Sequence, residues 1–102
     1  MAEEVKMYQL EDFEPFVGSE FILSKEGVDQ TLPIKLIEAA HSNHEAPEGM
    51  RRGFSLLFQL PPNLPLEQDI FTITHEEFGS ADLFLVPIQP NEDGSLMESI
   101  FN

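Results

Sequence analysis

The chain has 102 residues, with 5 Lys or Arg against 19 Asp or Glu, a formal charge of −14, 41% hydrophobic residues and no cysteine. That length fits one domain burying roughly 65% of its unfolded surface, and the apolar content excludes intrinsic disorder. The charge repels nucleic acid and anionic membrane, and without cysteine there is no disulfide, thiolate metal site or thiol nucleophile.

The N-terminus, MAEEVKMYQLEDFEPF, is acidic where a signal peptide would be basic, and no apolar run approaches the ~18 residues of a membrane span. The expectation is a soluble, cytoplasmic protein. Residues 1–9 read as a flexible lead-in, and 10–102 as a single β domain. From Leu10 to Val17, the residues Leu10, Phe13, Phe16 and Val17 recur at helical offsets, with Gly18 placed to end the turn. Pro15 limits this helix to two turns.

Glu20 to Ser24 (EFILS) predicts a first strand. Lys25 to Asp29 (KEGVD) predicts a turn leading into a longer strand over Thr31 to His41, with Leu32, Ile34 and Leu36 inward and an edge or bulge at Pro33. Ser42 to Arg52 is polar, without periodicity, and reads as an exposed loop. Gly53 to Leu60 (GFSLLFQL) is the clearest strand, with Phe54, Leu56, Phe58 and Leu60 on one face. The PPNLP connector bars regular pairing. Asp69 to His75 (DIFTITH) resumes alternation, with Phe71, Ile73 and His75 on one face. Asp82 to Gln89 (DLFLVPIQ) is apolar at both sets of alternating positions and predicts a strand covered on both sides. A hairpin at Pro90 to Gly94 leads to a last strand over Ser95 to Phe101. The expected architecture is mainly β: a small antiparallel barrel or a two-layer sandwich of about six strands with one short N-terminal helix.

No catalytic constellation emerges. His41, His44 and Glu45 are the nearest approach to a metal cluster, but they straddle a strand end and a loop, so no metal or other cofactor is assigned. His75, Glu76 and Glu77 could pair an imidazole with a carboxylate. No nucleophile motif accompanies them, and a histidine hydrogen-bonding its own turn is the simpler expectation. Asn91 to Gly94 lacks the ligand pattern of a calcium loop and reads as turn chemistry. Arg51 and Arg52 are the only adjacent basic pair, and beyond them eight carboxylates follow with no basic residue. They neutralise nearby acids or clamp a carboxylate. The nine Phe pack a core or line a ligand pocket.

The blocks FVGSEF at 16–21, RRGFSLLF at 51–58, the His75 to Gly79 turn, LFLVPI at 83–88 and the closing IFN resemble a bacterial family of small β domains of unknown function. The resemblance covers about Leu10 to Asn102 and supplies no catalytic residues. Members are often encoded beside proteins resembling phage tail-collar or tail-fibre components, which implies an assembly or companion role. This chain departs from the commoner form in its acidity and its PPNLP connector.

The resulting expectation is a non-enzymatic interaction or assembly protein that presents an acidic β surface to a protein partner with a basic surface. Its candidate surface comprises Arg51, Arg52, Glu67, Asp69, His75, Glu76 and Glu77. A small-ligand barrel with a Phe-lined cavity is the alternative, and nucleic-acid mimicry ranks last because the carboxylates are scattered among turns and strand faces. The oligomeric state is not legible, although Pro33 and the apolar last strand leave room for β-pairing between chains.

Overall fold

A computed structural model describes residues 8–41, 53–62 and 66–101. Six strands follow a short helical segment: α1 (Leu10–Phe13), a 3-10 turn (Glu14–Phe16), β1 (Glu20–Lys25), β2 (Val28–His41), β3 (Phe54–Leu60), β4 (Asp69–His75), β5 (Gly79–Asn91) and β6 (Gly94–Phe101). They close into a barrel in the order β1-β2-β3-β6-β5-β4, with every ladder antiparallel. The barrel is the one of the two expected architectures that forms. It consists of two three-stranded meanders, β1–β3 and β4–β6, joined by the long β3–β6 ladder and by a three-pair β1–β4 ladder at Ile22–Thr74, Leu23–Ile73 and Ser24–Thr72.

Alternation along the strands sets the core. Phe54, Leu56, Phe58 and Leu60 of β3 are buried, as are Ile34 and Leu36 of β2, Phe71 and Ile73 of β4, and Ala81, Leu83 and Leu85 of β5. Each fully buried Phe, Leu or Ile contributes ~1.5–3 kcal/mol relative to exposure. β2 starts earlier than its sequence implies, because the turn before it needs only Glu26 and Gly27. Pro33 lies within β2 opposite Ile22, and β2 meets β3 only from Lys35 onward. The flank of Pro33 toward β3 therefore carries no ladder, which suits a residue that cannot donate a hydrogen bond. The β2 bulge falls instead between Leu36 and Glu38.

The helical segment plugs one end of the barrel. Phe13 packs its ring 5.1 Å from that of Phe78, 5.9 Å from Phe101 and 6.1 Å from Phe54. Pro15 stands at the start of the 3-10 turn, where its missing N–H costs nothing. Val17, expected inward, is 44% exposed, because the chain has left helical geometry there and its backbone is extended, so the helical offset no longer applies. Tyr8 and Gln9, assigned by sequence to the lead-in, join the fold. The Tyr8 ring lies 5.5 Å from Phe13, and the Gln9 N–H donates to Asp12 Oδ2 at 2.8 Å.

Two expectations about strands are corrected. β5 is not covered on both sides: a barrel wall has one inner face, and Phe84 and Ile88 point outward at 52% and 37% exposure. The last strand offers no free edge for pairing between chains, because β6 sits between β3 and β5 and is paired to both.

Candidate functional site

Sequential meanders turn an asymmetry along the chain into one in space. All charged side chains from residue 53 onward are carboxylates, and these residues build β4, β5 and β6, three contiguous staves of the barrel. The described part of β1–β3 carries Lys25 and Lys35 among its acids. One half of the wall is thus purely anionic and the other is mixed.

The sequence-selected residues fall at the two ends of β4. Glu67 and Asp69 precede and open the strand, while His75, Glu76 and Glu77 close it, about 20 Å away at the usual rise per residue. They do not form one site. Asp69 is ion-paired with Lys25 and its Oδ1 accepts the Ile70 N–H at 2.7 Å. The hydrogen bond from Lys25, reinforced by Ile70, holds the Asp69 carboxyl below the usual carboxylate range. Lys25 also sits 5.9 Å from the Phe71 ring centroid. Sequence reasoning had no signal for this partner, which arrives across the β1–β4 seam.

His75 caps its own turn. Its Nδ1 accepts the N–H groups of Glu77 at 3.0 Å and Phe78 at 3.3 Å. Its ring packs edge-on against Phe16 at 4.8 Å and lies 4.9 Å from Phe21. Glu76 and Glu77 project into solvent. Nδ1 is therefore engaged as an acceptor in a structural turn. His41 is exposed at the end of β2, whereas Arg51, Arg52, His44 and Glu45 lie outside the described residues. Among the described residues no three His, Cys, Asp or Glu side chains are grouped to hold a metal ion.

The outer face of β4–β6 was missed. Ile70 on β4 and Phe84 on β5 are register partners, exposed at 60% and 52%. The β5–β6 register sets Val86 against Glu98, and two residues further along each strand, on the same face, stand Phe84 and Ile100. Ile100 is 64% exposed. Beside this apolar band, Thr72 Oγ1 donates to Asp82 Oδ1 at 2.6 Å. Strand alternation set Ile70 on the face opposite Phe71 and Ile73, but the β5 sequence is apolar at both sets of positions and so did not mark Phe84 as exposed.

At the end of the barrel away from the helix lies a cavity of about 470 Å³, lined by Leu23, Val28, Leu32, Leu66 and Phe71 together with Ser24, Gln30, Thr31, Glu67 and the Lys25–Asp69 pair. Of the nine Phe, Phe71 alone lines it. The others fill the core and the plugged end, apart from Phe84 on the outside.

The model of one protein family matches residues 8–101, almost the whole chain. The chain belongs to that family, described as a domain of unknown function (DUF6916). For the DUF6916 domain, then, the closed barrel and its charge distribution are the basis for functional reasoning. No match was found among curated proteins or among solved structures. Among the described residues no helix is long and apolar enough to cross a membrane.

Proposed function

We propose that the chain is a non-enzymatic interaction or assembly protein that presents an acidic β surface to a protein partner bearing basic residues. The observation that carries this proposal is the contiguous half-barrel, β4–β6, whose charged side chains are all carboxylates. Such a wall attracts a basic surface, steers its approach and disfavours acidic competitors. A phage-tail-like assembly, implied by the family resemblance, is the setting proposed for this contact.

Affinity capture from the native host lysate at low ionic strength, eluted by a salt gradient and read by mass spectrometry, tests both parts. The expected result is a specific basic protein released by salt, because attraction between exposed charges is screened beyond about 10 Å at 0.1 M. A tail component in that fraction supports the setting. Retention of nothing specific, or of a partner indifferent to salt, counts against the electrostatic contact.

A second reading, small-ligand binding, is favoured by the cavity at the open end of the barrel. Its lining sets Leu23, Val28, Leu32, Leu66 and Phe71 beside Ser24, Lys25, Gln30, Thr31, Glu67 and Asp69, so the ligand would be a small molecule with an apolar body and a polar end. A fluorescent apolar probe that leaves the native protein dark would dispose of it.

A further inference from the structure

We propose that the outer face of β4, β5 and β6 around Phe84 docks a protein segment that presents an apolar ridge flanked by Lys or Arg. This rests on the interaction role proposed above and adds where the partner sits and what it must carry.

Single exposed apolar side chains are ordinary, whereas adjoining ones mark contact surfaces. Ile70, Phe84 and Ile100 lie on three neighbouring strands, each more than half exposed. Nothing in the fold requires them there, since the barrel interior is filled from the opposite face of the same strands. Half-buried Val86 extends the band along β5.

Charge selects the occupant. Asp82 lies two residues from Phe84 and is held by Thr72. Glu98 lies two residues from Ile100, between Leu57 on β3 and Val86 on β5. A carboxylate set among apolar neighbours accepts a Lys or Arg more strongly than one in open water. The wall offers no cation in return. A second copy of the chain would bring −14 against −14 with carboxylates facing carboxylates. An anionic membrane is repelled for the same reason. Strand addition is blocked where β5 and β6 are already paired, so the partner meets side chains rather than extending the sheet. Phe84, central and aromatic, is the anchor.

The test is photo-crosslinking in native cells, using the full chain with benzoylphenylalanine placed singly at Ile70, Phe84 or Ile100. Glu26 and Asp29, exposed on the β1–β2 hairpin, serve as control positions. Adducts are mapped by mass spectrometry to the partner peptide, and Phe84→Ser is then assayed for binding to the protein found. The expected result is adducts from the wall positions, mapped to an apolar segment flanked by Lys or Arg, and an affinity loss of roughly tenfold or more for Phe84→Ser. A thermal melt of Phe84→Ser close to the parent's shows that the fold is intact. Adducts from Glu26 or Asp29 alone would overturn this location while leaving the interaction role standing. Adducts with a second copy, or with a neutral or acidic segment, would overturn the proposed occupant. Absence of adducts from every position would overturn both the docking face and the interaction role.

Discussion

Replacing Gly94 by alanine would place a methyl carbon 2.4 Å from the Leu60 carbonyl oxygen, 3.0 Å from Pro62 N and 3.1 Å from Pro61 C. All three atoms are backbone, so no side chain can swing aside. Gly94 also has φ +142, a conformation that side-chain-bearing residues rarely adopt, at a cost of about 1–3 kcal/mol. The contact adds to that cost. To reach van der Waals distance the end of β3 must move by about 1 Å, at the point where Leu60 pairs with Ser95 and Gln59 Nε2 donates to the carbonyl oxygens of Leu60 at 3.3 Å and Ser95 at 3.0 Å. Disrupting two such bonds costs about 1 kcal/mol each. The sum is about 3–5 kcal/mol, a large share of the ~5–15 kcal/mol that holds a domain of this size together. At about 4–8 °C per kcal/mol, the melting temperature should fall by roughly 12 °C or more. Gly27→Ala is the matched comparison, because Gly27 has φ +83 but nothing within 4 Å of the added carbon. It should cost only the strain, about 1–2 kcal/mol. Urea denaturation followed by far-UV circular dichroism measures both. Equal losses for the two variants would refute the close approach of Gly94 to the β3 end.

Three further outcomes are expected. The Asp69 carboxyl, held low by Lys25, should titrate below the usual range by NMR, and Lys25→Met should return it toward the ordinary value. Because its folded pKa is depressed, its small contribution to stability is present above the unfolded pKa and lost as pH falls through the folded one. The Tyr8 phenol, raised above 10.0 by burial and then by Asp82 and Asp12, should ionise late in an ultraviolet titration. The raised value means that its contribution holds below the unfolded pKa and disappears as pH climbs through the folded one; Tyr8→Phe should flatten this alkaline limb. Phe13→Ala should cost about 3–5 kcal/mol in the same denaturation assay, since it empties the aromatic plug. A loss under 1 kcal/mol would mean that the segment lies loosely on the barrel.

The strands with strict alternation were legible in the sequence. Those of Phe54–Leu60 and Asp69–His75 matched their inward faces, because period-two patterning reports one-sided burial directly. The stretch now seen as β5 was misjudged on its outer face: Phe84, Val86 and Ile88 alternate with Leu83 and Leu85, and an exposed apolar band reads the same as a covered one in a single sequence. Barrel against sandwich was undecided, since closure depends on β1 meeting β4, and nothing in either segment names the other. The role of His75 followed from its place at a strand end, and its two hydrogen bonds to the following turn agree with the simpler expectation. The ion pair of Asp69 with Lys25 was not legible, for the same non-local reason as the closure.

The β1–β4 ladder is the shortest of the six, at three pairs. A closed sheet hides its hydrogen-bonding edges only while every ladder holds, and the ladder with the fewest pairs has the fewest backbone hydrogen bonds to lose on opening. Parting there would free Glu20–Lys25 and Asp69–His75 as bare edges while both meanders kept their own pairing. Each of those edges carries charge at its margins, with Glu20 and Lys25 on one and Asp69 on the other. Charged margins are a recognised guard against edge-to-edge aggregation. The chain thus places its shortest ladder between two strands with charged margins, which disfavours the addition of another molecule to a transient breach.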